Sequence, residues 1–93
     1  MFGCDRCQDV CPWNQRAAVP GLPAFQPRAH LHQPDLAWLL TLAPADFQHI
    51  LRDSPIQRAT WAGFLRNTVI AAHNSGDPAL QVLADARASA HLA

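Results

Sequence analysis

Lysine and glutamate are absent from this 93-residue chain: its seven cationic side chains are all arginine, its seven anionic ones all aspartate, and the formal charge is zero. A coding bias toward GC-rich codons explains that choice, and the plentiful alanine, without any function. The balance also removes whole-chain charge as a reason to expect nucleic acid or a membrane as partner. Long apolar runs are missing, and nothing approaches the roughly 20 residues that a bilayer span requires. Cysteine is limited to three. A disulfide pair would leave one over, and no export signal precedes Cys4. A zinc knuckle needs four ligands, and after Cys11 only irregularly spaced histidines remain. A chain of this length buries one modest core, so marginal stability is expected without a metal or a partner.

What the chain does have is concentrated at its start. All three cysteines lie in Phe2-Gly3-Cys4-Asp5-Arg6-Cys7-Gln8-Asp9-Val10-Cys11-Pro12-Trp13-Asn14, spaced Cys-x2-Cys-x3-Cys and closed by proline. The x2 step lets a tight turn aim two sulfurs at one iron–sulfur cube. The x3 step followed by proline turns the last cysteine away, and in two-cluster ferredoxins that cysteine ligates the other cluster. The stretch therefore reads as the tail of a Cys-x2-Cys-x2-Cys-x3-Cys-Pro run without its front. Cys4, Cys7 and Cys11 are the candidate ligands of a 4Fe–4S cluster. A cluster of four irons normally takes four protein thiolates and a pair of clusters takes eight; the chain holds three. The expectation is thus a C-terminal piece of a longer protein, with Met1 a cut or misread start; dimerisation supplying ligands in trans is the second option. Reduced cysteines without an export signal argue for the cytoplasm.

Three regions follow: a partial ferredoxin-type motif over 1–14, a proline-rich connection over 15–33, and a helical region over 34–93. A helical turn is expected over 5–10, with the chain leaving extended at Cys11 because the next residue is proline. Trp13 either shields a cluster or packs on a helix. Pro20, Pro23 and Pro27 forbid regular structure in the connection, and Val19, Leu22 and Phe25 are expected to pin it to a surface. His30 and His32 would share a side if strand-like, but exposed loop is the better reading.

From Pro34 onward the pattern is helical. Leu36, Leu39 and Leu40 mark the first stripe, and Phe47, Ile50 and Leu51 the inward face of a helix opened by Pro44. Ser54-Pro55 opens a third helix to about residue 73, with Ile56, Ala59, Gly63, Asn67 and Ile70 on one line and Phe64 and Ala71 beside it. Gly63 suggests close approach of a helix or ligand. Gly76 ends that helix, and Asp77-Pro78 caps a last one facing inward through Leu80, Leu83 and Ala84, with a fraying tail over 86–93. Arg52, Arg58 and Arg66 are the arginines singled out in this half. Arg58 and Arg66, eight residues apart, would share a face of the third helix, fit either for phosphates or for water. Trp61 could stack on a base or pack.

The stretch from Phe2 to Asn14 resembles the second cluster motif of epoxyqueuosine reductases. Ser54-Pro55-Ile56-Gln57-Arg58-Ala59, Gly63-Phe64-Leu65-Arg66-Asn67 and Ala71-Ala72-His73-Asn74-Ser75-Gly76-Asp77-Pro78 are similar to that family's C-terminal helical repeat. The resemblance implies a mainly α chain: a partial ferredoxin-like iron–sulfur head, the connection, and a HEAT-like region. It further implies a cytoplasmic oxidoreductase with two 4Fe–4S clusters and a cobalamin, which reduces epoxyqueuosine to queuosine in tRNA, the clusters passing electrons to the corrinoid. The partners implied are the tRNA, an electron donor protein and the missing N-terminal part of the same polypeptide; no membrane is involved. In that setting Arg52, Arg58 and Arg66 would help grip the tRNA. The cobalamin site and general acid would lie upstream, so no residue here is assigned as catalytic, and the isolated chain is expected to be inactive. The alternatives are a stand-alone ferredoxin-like electron-transfer module needing partner ligands, and a non-catalytic helical RNA-binding fragment.

Overall fold

Proline sets the starts of the helical half. Pro44, Pro55 and Pro78 each stand at the first position of a helical segment, where a missing N–H would have no intrahelical partner anyway. The structure of the chain, a computed structural model, describes residues 2–91. Its helices are α1 (Arg6–Asp9), α2 (Leu36–Thr41), α3 (Pro44–Ile50), α4 (Thr60–Asn74) and α5 (Pro78–His91). Tight 3-10 turns cover Asn14–Arg16, Pro23–Phe25 and Pro55–Ala59, and no strand occurs among the described residues. The chain is mainly α, as its periodicity indicates. Residues 3–33 form one compact unit, and the helical body from Pro34 onward belongs to another.

In the helical body, side chains satisfy the N–H groups that each helix start leaves without partners. The Asp35 carboxylate accepts from the Ala37 N–H at 3.0 Å, and the Ser54 hydroxyl from the Ile56 N–H at 3.3 Å. Asp77 accepts from the Ala79 N–H at 2.9 Å, and Asp46 reaches back to the Ala43 N–H at 3.0 Å. Each such cap is worth about 1 kcal/mol. Helices α4 and α5 run antiparallel: His73 Nε2 lies 2.9 Å from Asp85 Oδ1, Gln81 donates to the His73 carbonyl at 3.2 Å, and the Trp61 and His91 rings meet edge to face at 5.2 Å. Gly76, with φ 75°, makes the turn between them, a conformation that costs glycine nothing.

The core lies wholly in this body. Leu39 and Leu40 of α2, Phe47 of α3, Leu51, Phe64, Leu65 and Ala72 of α4, and Ala84 of α5 are buried. The rings of Phe47 and Phe64 are 5.3 Å apart and tilted by 49°, a favourable aromatic geometry. Thr68 is buried too, with its hydroxyl donating to the Phe64 carbonyl at 2.8 Å. Leu80 and Leu83 pack against the cluster, partly buried, as their spacing predicts.

Three expectations need correction. The third helix is not continuous: residues 55–59 are wound as a 3-10 turn and α4 begins at Thr60, whose backbone lies at φ 60°, ψ 164°. Counting 3.6 residues per turn from Ile56 therefore loses phase at Thr60. The inward face of α4 is Phe64, Leu65, Thr68 and Ala72, and Ile70 is half exposed. No other helix approaches Gly63 closely among the described residues. A Cβ there would meet only Thr60 Oγ1 at 3.6 Å and the Ala59 Cβ at 3.8 Å, both ordinary contacts. Nor does the tail fray through its described part: α5 continues to His91, with Arg87 Nη2 donating to the Leu42 carbonyl at 2.8 Å. Leu92, Ala93 and Met1 lie outside the described residues.

Candidate functional site

The cysteine segment is wound around one short helical turn. Gly3 (φ 78°) and Asp5 (φ 56°) are both left-handed, which swings the chain into α1. A side chain at Gly3 would be strained by that φ, and its Cβ would press on Asp5 Oδ1 at 3.3 Å. The Asp5 carbonyl accepts from the N–H groups of Gln8 and Asp9, each at 2.9 Å. Cys11 N–H then donates to the Gln8 carbonyl at 3.3 Å, and Asn14 closes the loop through its own N–H to the Cys11 carbonyl (3.1 Å) and its side-chain amide to the Gln8 carbonyl (3.2 Å). Cys4 precedes the turn, Cys7 rides on it, and Cys11 follows it.

All three thiols are free; Cys4 and Cys7 are exposed and Cys11 half-buried. Among the described residues no three His, Cys, Asp or Glu side chains are gathered as a metal site. The donor set has the soft-sulfur chemistry iron–sulfur clusters use, but three thiolates are fewer than a cluster normally takes and they are not converged. By itself the chain fits part of a cluster site, not a whole one, and no reaction step follows from it. His30 and His32 sit where the chain turns, with the Leu31 N–H donating to the Arg28 carbonyl at 2.9 Å, and they form no metal group. Trp13 is exposed, as are Val19, Leu22 and Phe25. Within residues 3–33 no buried apolar side chain exists for the last three to join.

The arginines are exposed side chains of the helical body. Arg52 lies 3.8 Å from Asp53, with their side chains 76% and 87% exposed, a pair too solvated to contribute much stability. Arg58 sits in the 3-10 turn and Arg66 on α4, so the two do not share one continuous helix and their eight-residue spacing does not by itself align them.

Two side chains matter more to the body than sequence reasoning indicates. The indole N–H of Trp61 donates to the Leu42 carbonyl at 3.3 Å, and the Arg87 guanidinium donates to the same oxygen at 2.8 Å. Trp61 is thus a packing residue that ties the end of α2 to α4, and Arg87 ties it to α5. Arg87 Nη1 also lies 3.1 Å from His91 Nε2, while its Nε is buried without a partner. A lone arginine in an alanine-rich stretch carries no periodic signal, which is why its role is invisible before the fold is known.

Free, closely spaced thiols on one turn, followed by an all-helical body, define a thiolate-motif protein with a helical scaffold. The curated proteins it is similar to are epoxyqueuosine reductases. The chain is 37% identical over 75 residues to the one from Salmonella typhimurium, which covers 81% of this chain and 20% of that protein. It is 39% identical over 85 residues to the one from Pseudomonas aeruginosa (89% and 24%) and 40% identical over 67 residues to the one from Cyclobacterium marinum (72% and 21%). The chain spans about a fifth of the length of these curated relatives. No protein-family profile matches it, and no solved structure does.

Proposed function

We propose that this chain is the C-terminal part of a cytoplasmic epoxyqueuosine reductase, the oxidoreductase that converts epoxyqueuosine to queuosine in tRNA. The observation carrying this reading is identity of more than a third to several such reductases across about four-fifths of the chain. Cys4, Cys7 and Cys11 belong on this reading to the second ferredoxin-type motif of a head with two 4Fe–4S clusters. The missing thiolates come from the rest of the polypeptide. A cobalamin belongs to the intact enzyme, outside these 93 residues, and no residue here is assigned to it. Reduction of the epoxide consumes electrons, so an electron donor protein is a required partner. The helical body is a HEAT-like repeat region; its solvent-facing Arg52, Arg58 and Arg66 suit phosphate contacts with the tRNA, because a guanidinium fork matches phosphate oxygens.

The test is a splice. The segment of the Pseudomonas aeruginosa reductase matched by this chain is replaced with residues 1–93, and the hybrid is expressed in a bacterium lacking its own reductase. Nucleosides from its tRNA should contain queuosine. Accumulation of epoxyqueuosine alone, from a soluble hybrid, would refute the reading.

A further inference from the structure

Residues 3–33 have turns but no core. None of their side chains is buried, and Trp13, Val19, Leu22 and Phe25 are 86%, 88%, 62% and 66% exposed. Single exposed apolar residues are ordinary; four large ones within residues 13–25, with no core of their own to join, suit burial against a partner. The stretch is also pre-shaped. Asn14–Arg16 and Pro23–Phe25 are 3-10 turns, the Phe25 N–H donates to the Leu22 carbonyl at 3.0 Å, and the Gln26 side-chain amide donates to the Pro20 carbonyl at 2.9 Å. Pro20, Pro23 and Pro27 fix φ, which lowers the entropy lost when such a segment settles on a partner.

Two observations identify the partner. The curated relatives extend well beyond the matched segment, which is 20% to 24% of their length in the Salmonella and Pseudomonas proteins. In addition, Cys11-Pro12 leads directly into Trp13, so a polypeptide that brings further thiolates to the cysteine turn lies beside this apolar run. We infer that residues 13–25 dock, through Trp13, Val19, Leu22 and Phe25, onto an apolar surface of the polypeptide corresponding to the remaining four-fifths of the relatives. This rests on the reductase reading above.

Amide hydrogen exchange tests it by comparing the spliced reductase with the free 93-residue chain. The amides of Phe25 and Gln26 should exchange on the order of tenfold slower or more in the splice, as expected for backbone shielded by packing. Equal rates in both, with the helical body protected in each, overturn the inference. Concentration-dependent self-association of the free chain that protects the same amides assigns the surface to a second copy and overturns it as well. If the splice is insoluble, the free chain is titrated by sedimentation against the Pseudomonas aeruginosa reductase lacking its matched segment. Trp13→Asp or Phe25→Asp should then weaken binding roughly thirtyfold, the effect of losing a buried aromatic anchor. Unchanged affinity, or no binding by the native chain, overturns the inference. A splice that protects residues 13–25 yet reduces no epoxyqueuosine keeps the docking and removes the reductase reading, so the two failures are distinguishable.

Discussion

Thr60 and Gly63 carry opposite kinds of local cost. Thr60, at φ 60°, ψ 164°, occupies a region that is essentially glycine's, at about 1–3 kcal/mol for any other residue. Its hydroxyl returns little, accepting from the Gly63 N–H at a long 3.4 Å. Thr60→Gly relieves the strain and loses a few tenths of a kcal/mol of capping, against up to about 1 kcal/mol of added unfolded-state entropy. The net is a stabilisation of roughly 1 kcal/mol. Gly63→Ala should add about 1 kcal/mol more, since the helix gains its best former and the new Cβ makes only ordinary contacts. Urea unfolding of each variant checks both; a lower midpoint for Gly63→Ala would mean that an unseen neighbour occupies that space. At this scale much was legible. Asp35, Ser54-Pro55 and Asp77-Pro78 announce helix starts, and Gly76 a stop, because caps depend on neighbours within a few residues. Left-handed Thr60 was not legible, since a β-branched residue signals nothing of the kind.

Between elements, one carbonyl oxygen gathers the body. The end of α2 offers the Leu42 carbonyl, and Trp61 of α4 and Arg87 of α5 both donate to it. A hydrogen bond from a charged donor is worth about 1.5–3 kcal/mol, and one from a neutral donor about 1 kcal/mol. Arg87 is only partly buried, so the lower end applies. Arg87→Met should destabilise the chain by about 1–2 kcal/mol and Trp61→Phe by about 1–2 kcal/mol, the latter also losing packing area. The double variant should cost less than the sum, because both donors share one acceptor. Strict additivity in thermal or urea unfolding contradicts the shared-acceptor account. The leucine stripes of α2 and α5 were readable as period-3.6 patterns, whereas the face of α4 was not, because the 3-10 turn before it resets the phase. A contact between residues 42 and 87 lies beyond any local pattern.

The whole molecule divides its labour unequally. Residues from Pro34 onward hold every buried apolar side chain among the described residues, and residues 3–33 hold all three thiols. The helical body is therefore expected to fold with the cysteine turn reduced and metal-free: Cys7→Ser should leave its unfolding midpoint unchanged. Anaerobic reconstitution of the free chain with iron and sulfide should give no stable 4Fe–4S cluster per monomer, because a cluster of four irons normally takes four protein thiolates and the chain holds three, of which Cys11 is spaced for a different cluster from Cys4 and Cys7. A full complement of four irons per monomer would show that a non-cysteine ligand or a second arrangement completes the site. The Cys-x2-Cys-x3-Cys-Pro spacing made the candidate ligands readable from sequence. What would complete a cluster with them was not, since the chain holds no further cysteine.

The most direct measurement is made on the reductase hybrid carrying residues 1–93, with and without Cys7→Ser. Purified anaerobically, the unsubstituted hybrid should show iron–sulfur absorption and convert epoxyqueuosine in tRNA to queuosine. The Cys7→Ser hybrid, equally soluble and with its helical body intact, should lose conversion by at least about a hundredfold, in keeping with loss of a metal ligand or its support, together with part of its iron. Conversion and iron content untouched by Cys7→Ser would contradict the assignment of this cysteine turn to the enzyme's clusters.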